Sequence, residues 1–391
     1  MLNEKGVREL AYVVRIGWVK PIEGADNIEL VGINGWTCVA KKQEFKQGDL
    51  AVYFEIDSKL PETEWSEFLA PKHYKVKTMK LGKFGVISQG LALPLSAFNW
   101  KEDEAEKLKE GDFLTERLGV KYSVDEDNIR KAASSVDVYK KMAQRHPKVF
   151  KKKFVRWLYK YTWGKKLLYL FFGKKRDTVA WPAWVVKTDE ERIQNMPFIL
   201  MDKTPWVATE KIDGTSTTFT MKRSKFGKFD FYICSRNVVF DKPDKACFYD
   251  TNVYVEMAEK YNIENVLKDI LKKHPEYAWV TLQGETYGEG IQKRDYSLKE
   301  HKFVGFNFIT STEGRWDTRK AAPMLAEYGI DWVPIVDEAF VLPDTVEELL
   351  QIATNKSKID GGMREGLVFR YPDGSKSFKA VSNEFLLKYH Q

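Results

Sequence analysis

An Asn-Gly step at Asn34-Gly35 joins two strand-like runs, residues 28–33 and 36–40. A type I′ turn needs positive φ at both central residues, and Asn-Gly adopts it at low steric cost, so the spacing predicts a β-hairpin. A run at 12–16 is closed by Pro21 and Gly24, and Gly48-Asp49 introduces another at 50–56. Several short strands divided by turn chemistry predict a small closed or partly closed β-barrel within residues 1–120. The full chain of 391 residues is long enough for a second core.

The second core is expected over residues 181–391. Strands are predicted at 207–211, 229–234, 280–284, 303–308, 366–370 and 376–381, and helices at 251–261, 265–273, 318–328 and 345–354. Runs of strands interrupted irregularly by helices indicate an α+β domain rather than a repeated parallel βαβ unit. Neither the G-x-x-x-x-G-K-[ST] phosphate loop nor the G-x-G-x-x-G dinucleotide fingerprint occurs.

Between these regions the charge changes abruptly. Residues 140–176 hold 14 Lys or Arg and no Asp or Glu, whereas the whole chain has a formal charge of only +7. The remainder is therefore acidic overall. A short helix is predicted at 134–144, and 149–172 mixes basic with aromatic residues. Phe154, Trp157, Leu158 and Tyr161 fall at helical spacing, which predicts one apolar face. Three readings fit this segment: a connector packed by that face, a nucleic-acid contact surface, or a membrane-surface helix.

Composition excludes several classes. Hydrophobic residues make up 43% and charged residues 30%, as in a soluble globular protein. Cys38, Cys234 and Cys247 form no metal pattern or disulfide framework, and the five histidines are scattered. The first residues lack the apolar run of a signal peptide. The longest apolar patch, 167–172, is far below the roughly 20 residues a membrane helix needs. An intracellular, cytoplasmic protein without a transmembrane segment is expected.

The chemistry points to Thr209-Glu210-Lys211-Ile212-Asp213-Gly214-Thr215-Ser216. Lys211 and Asp213 share one side if the backbone stays extended, and Gly214 permits a tight approach beside a ligand. A desolvated lysine, or one near another cation, loses its proton more readily and becomes a nucleophile. Taken alone, the segment also fits a surface turn.

The ordered set of motifs resembles the covalent nucleotidyltransferase superfamily of ATP-dependent ligases and capping enzymes. Lys211-Ile212-Asp213-Gly214 resembles its nucleotidyl-lysine motif. Ser235-Arg236-Asn237, Gln283-Gly284-Glu285, Phe303-Val304-Gly305-Phe306-Asn307, Arg364-Glu365-Gly366-Leu367-Val368-Phe369-Arg370 and Ser377-Phe378-Lys379-Ala380-Val381-Ser382 resemble the elements that follow. Only 12 residues follow Lys379, too few for the C-terminal OB domain of DNA ligases and capping enzymes. Residues 1–120 supply an N-terminal candidate instead, so the arrangement is similar to ATP-dependent RNA ligases with an N-terminal OB domain. The resemblance implies an OB-like β-barrel (1–120), a basic helical connector (121–180) and a ligase-type nucleotidyltransferase domain, ATP-grasp-like, at 181–391.

The resemblance also assigns roles. Lys211 attacks the α-phosphate of ATP, and Asp213, Glu285 and Glu365 position water-bound Mg²⁺ or Mn²⁺. Glu210, Lys211, Arg236, Phe303 and Lys379 contact the nucleotide. Phe303 stacks on adenine, with Phe306 the alternative if the strand register differs. Lys379 also takes a catalytic phosphate contact. Val381 stands where a second lysine often occurs, leaving Lys376 in reserve. Arg236, Lys151, Lys152, Lys153 and Arg156 are expected to meet nucleic acid. The implied substrate is RNA or a nicked duplex, handled by a monomer with no obligate protein partner. Alternatives are a capping-type guanylyltransferase, a DNA nick ligase and a noncatalytic nucleic-acid-binding protein.

Overall fold

The structure, a computed structural model, describes residues 1–3, 6–101, 104–123, 147–172, 181–224, 227–240 and 252–389. The chain divides into two compact units. The first comprises Met1–Ile56, Lys77–Thr115 and Val179–Gln391, and the second Asp57–Val76 and Glu116–Thr178.

In the first unit, Ala11–Arg15, Leu50–Phe54 and Leu91–Pro94 form an antiparallel sheet with Leu50–Phe54 at its centre. Trp18–Pro21, Ile28–Ile33 and Trp36–Lys41 form another. The expected hairpin is present: Asn34 and Gly35 have φ of +46° and +78°, and Ile33 pairs with Trp36. Along Trp36–Lys41 the side chains alternate, with Trp36, Cys38 and Ala40 buried and Thr37 and Val39 half-buried. Both sheets contribute to one core containing Tyr12, Val14, Val31, Ile33, Trp36 and Tyr53. Burial of each large apolar side chain contributes roughly 1.5–3 kcal/mol.

Two further antiparallel sheets occupy the C-terminal part of this unit. The smaller has the order Ile335–Phe340, Trp206–Lys211, Gly366–Arg370, Ser377–Val381. The larger has the order Val239–Phe240, Phe229–Cys234, Thr215–Arg223, Trp279–Gly288, His301–Thr310, Gly314–Arg315. Helices Val253–Lys260, Ile263–Lys273 and Thr318–Ala326 supply side chains to the core of the larger sheet. Helix Val346–Ala353 packs into the core of the smaller.

One central strand, Thr215–Arg223, lies outside the expected set. It reads TSTTFTMKR, and its polar residues obscure an apolar pattern. Thr217, Thr218 and Thr220 are nevertheless buried. Thr217 and Thr286 hydroxyls are 2.7 Å apart, as are those of Thr220 and Thr281. These pairs satisfy polar groups that are costly to bury unpartnered.

In the second unit, helices Lys153–Tyr159 and Thr162–Phe172 pack through buried Leu158 and Leu168. A Cβ on Gly164 would lie 2.1 Å from the Leu158 carbonyl oxygen, so only glycine permits this approach. The single apolar face expected from Phe154, Trp157, Leu158 and Tyr161 divides. Leu158 enters the core, while Phe154, Trp157 and Tyr161 are exposed. Adjacent helical residues are about 100° apart, and Leu158 follows Trp157 directly. The helix expected over 134–144 lies outside the described residues. Among the described residues, no helix is long and apolar enough to cross a membrane.

Candidate active site

Strand Trp206–Lys211 ends at the mouth of a cleft of about 370 Å³ lined by residues of both C-terminal sheets. Its backbone pairs with Gly366–Arg370, bringing Lys211 opposite Gly366 and beside Glu365. Lys211 Nζ donates to Glu365 at 2.8 Å. Burial acts to lower the Lys211 pKa, but Glu365, Glu285 and Asp213 together hold it above its ordinary value. The amine is therefore an ammonium ion in this arrangement.

The turn after Lys211 is fixed by close contacts. The Asp213 amide donates to the Tyr296 hydroxyl at 2.7 Å. A Cβ on Gly214 would lie 2.3 Å from the Thr286 carbonyl oxygen, closer than any side chain tolerates. Glycine thus lets the loop lie against strand Trp279–Gly288, which supplies Glu285. Burial pushes the Glu285 carboxyl up to about 8; Lys211 opposes the shift, and Glu365 and Asp213 add to it. Glu210 also lines the cleft, with one carboxylate oxygen accepting the Lys358 amide at 2.8 Å.

Asp213, Glu285 and Glu365 therefore share the cleft with Lys211, which is bonded to Glu365. Among the described residues, no group of three or more His, Cys, Asp or Glu is arranged to ligate a metal directly. The crowded carboxylates, with Glu285 pushed up toward neutrality, are chemically suited to a divalent cation held through its waters.

Lys379 reaches the cleft from strand Ser377–Val381, and its amide donates to the Glu191 carbonyl at 2.8 Å. Burial, then Lys211 and Arg192, lower its pKa to about 8. Below that pH Lys379 is charged, and above it the charge is progressively lost. If Lys379 binds phosphate, the apparent KM for ATP should rise roughly eightfold from pH 7.5 to 9. Lys379→Arg should flatten the profile because arginine stays protonated. Steady-state adenylation across that range is the measurement, and a flat wild-type profile would count against the role.

The structure corrects the aromatic assignment. Phe303 is wholly buried on the helix side, edge-on to Phe219 at 5.2 Å and to Tyr261 at 6.1 Å. Phe306 lines the cleft, with the Arg370 guanidinium 5.5 Å from its ring. The strand's pleat sends the two rings to opposite faces. Phe306→Ala should raise the KM for ATP on the order of tenfold, given the usual strength of base stacking. Phe303→Ala should instead destabilise the fold by about 3–5 kcal/mol, measured by denaturant unfolding.

Arg236 lies at the cleft, exposed and paired with Asp189. Lys376 is 3.7 Å from Asp202 and does not line the cleft, while Val381 is buried. The reserve assignment of Lys376 to a phosphate contact therefore has no support in the geometry. Lys151, Lys152, Lys153 and Arg156 are exposed on the second unit.

Arg370, which lines the cleft, and Arg192, which neighbours Lys379 without lining it, were not singled out in the sequence. Arg370 lines the cleft and donates to Asn307 and Thr209, each at 3.0 Å. It closes the Glu365 motif, so its position was the available signal. Arg192 pairs with Lys379 across a parallel bridge and lies 5.6 Å from the Trp36 ring. No short motif marks Arg192, because Trp36 is distant in sequence.

A lysine bonded to a carboxylate, with further carboxylates and cations in one cleft, is the equipment of a nucleotidyl-transferring enzyme. Residues 204–390 match the RNA ligase family, and residues 10–95 match an OB-fold domain. Comparison with curated proteins gave no match. A variant of Naegleria gruberi RNA ligase with ATP and Mn is similar at TM-score 0.63 and 27% identity, over 98% of this chain and 100% of that one. The same ligase with pyrophosphate is similar at 0.61 and 28%, over 98% and 99%. A third structure, of a variant with AMP and Mn, is similar at 0.62 and 27%, also over 98% and 99%. The chain thus carries an RNA ligase domain at residues 204–390, preceded by an OB-fold domain.

Proposed function

We propose that this protein is an ATP-dependent RNA ligase that seals 3′-OH/5′-phosphate ends or nicks. The observation that carries the reading is Lys211, bonded to Glu365 in a cleft with Asp213, Glu285 and Lys379. The complexes of similar Naegleria ligase structures with ATP or AMP and Mn support the choice of nucleotide and of a divalent cation.

In the first step, neutral Lys211 attacks the α-phosphate, forming a phosphoramidate bond to AMP as pyrophosphate leaves. The amine must first release a proton, which Glu365 is placed to accept. A divalent cation, Mg²⁺ or Mn²⁺, held through waters by Asp213, Glu285 and Glu365, would favour the neutral amine and offset phosphate charge. Lys379 and Arg236 provide charge for phosphates, and Phe306 a face for adenine. AMP then passes to an RNA 5′-phosphate, and the neighbouring 3′-OH displaces it to form the phosphodiester.

In this reading residues 1–120 and the connector 121–180 engage nucleic acid, while 181–391 perform adenylation. Lys151, Lys152, Lys153 and Arg156 lend phosphate affinity, which weakens as salt rises. The protein acts as a monomer inside the cell; buried free thiols at Cys38 and Cys234 suit a reducing compartment. Incubation with labelled ATP or GTP, followed by matched RNA, DNA and hybrid nicks, tests the proposal. ATP labelling and preferential sealing of an RNA 3′-OH nick are expected. Preference for GTP, or sealing confined to DNA, would overturn it.

A further inference from the structure

The second unit carries an aromatic cluster that the adenylation chemistry does not use. Phe154, Trp157, Tyr161 and Trp163 are 67%, 47%, 44% and 56% exposed. They lean on one another: Phe154–Trp157 and Tyr161–Trp163 are stacked at 5.9 and 6.2 Å, while Trp157 meets Tyr161 edge-on at 5.3 Å. The core of this helix pair is made by Leu158 and Leu168, with Val155, Tyr159 and Phe172 against it. The exposed rings are thus additional to the packing that holds the helices together.

Large exposed rings are unfavourable in water and call for an explanation. Their neighbours indicate one. On helix Lys153–Tyr159 and the residues just after it, Phe154, Trp157 and Tyr161 recur at i, i+3 and i+7 and make one stripe. Lys153, Arg156 and Lys160 recur with the same spacing one residue earlier, so their stripe runs alongside, about 100° around the helix. All three cations are exposed, and none has an ion-pair partner among the described residues. The core residues Val155, Leu158 and Tyr159 fill the remaining face.

We propose that these parallel stripes bind an unpaired segment of RNA, its phosphates on Lys153, Arg156 and Lys160 and its bases stacked on the rings. A single strand presents both features side by side along its length, and aromatic stacking tolerates any base sequence. A helix lying in a membrane surface instead brackets its apolar face with cations; here they flank the rings on one side, with the helix core on the other. The inference deepens the proposed ligase function, and RNA as the ligand rests on that reading. The rings give the enzyme affinity for frayed or overhanging strand beyond the phosphodiester it seals.

The test uses the full-length protein and a labelled single-stranded RNA oligonucleotide, compared with an abasic one of equal length and charge. Fluorescence anisotropy should show at least tenfold tighter binding of the base-containing strand. Trp157→Ala/Trp163→Ala should remove that difference, while lysyl-adenylate formation at Lys211 is retained. The wild-type comparison needs no variant, so a misfolded double mutant does not protect the idea. Equal binding of both oligonucleotides by the wild type would overturn the inference. So would retention by vesicles of 70% phosphatidylcholine and 30% phosphatidylserine through the same rings, without preference for bases. Failure of adenylation with ring-dependent RNA binding intact would instead sink the ligase reading and leave the binding surface standing.

Discussion

Lys211→Ala abolishes the covalent protein–AMP adduct while leaving the fold intact: this is the largest effect expected of any single substitution. In the proposed mechanism the reacting atom is Nζ itself, and no other lysine among the described residues has its setting. Lys211 is bonded to Glu365 and is influenced by Glu285 and Asp213. Lys379, the other lysine lining the cleft, is proposed to contact phosphate instead. Intact-mass analysis after ATP treatment should show the AMP increment on the wild-type protein and none on the variant. Protein purified already adenylated must first be discharged with pyrophosphate. Circular dichroism and retained RNA binding exclude misfolding. The same amount of adduct on the variant, at the same site, would end the proposed mechanism.

The site was legible where chemistry and local pattern coincide. Gly366–Arg370 was readable as a strand because all five residues are buried, which produces a short continuous apolar run ending in arginine. Asn34-Gly35 announced its turn because few other dipeptides accept positive φ twice. Lys211, Asp213, Glu285, Glu365 and Lys379 lie in separate stretches, and the motif order linked them before the cleft did so in space.

What escaped the sequence depends on pairing between distant segments. The pleat of His301–Thr310 decides between Phe303 and Phe306, and its register against Trp279–Gly288 shifts at Gln283/Gly284. No count along one strand reveals that irregularity. The threonine-rich strand Thr215–Arg223 shows no clear apolar alternation, and its buried hydroxyls are satisfied by threonines of a neighbouring strand. Likewise, 57–76 join 116–178 in one unit through contacts such as Ser123 amide to Asp57 carbonyl at 2.8 Å. Such contacts leave no local periodic trace. Arg192 shows the same limit, since its neighbours Trp36 and Lys379 lie far upstream and downstream.

Glu365→Gln should separate two properties of Lys211 that usually change together. The wild-type carboxylate bonds to the ammonium and opposes the effect of burial, the largest influence on that pKa. Removing its charge weakens the opposition, so the Lys211 pKa must fall. At a fixed pH below that pKa, more of the amine is then neutral. Without ATP or metal, Lys211 should react faster with a small amine-directed reagent, and the labelling profile should move to lower pH. Adenylation should nevertheless fall by on the order of 100-fold, because the variant loses both a proton acceptor and one anionic contact for the hydrated cation. Peptide mapping of the labelled lysine and single-turnover adenylation measure the two properties on one protein sample. Parallel increases in labelling and adenylation would mean that Glu365 only restrains the nucleophile. Opposite changes identify a carboxylate that holds the lysine protonated at rest and is needed for the attack itself.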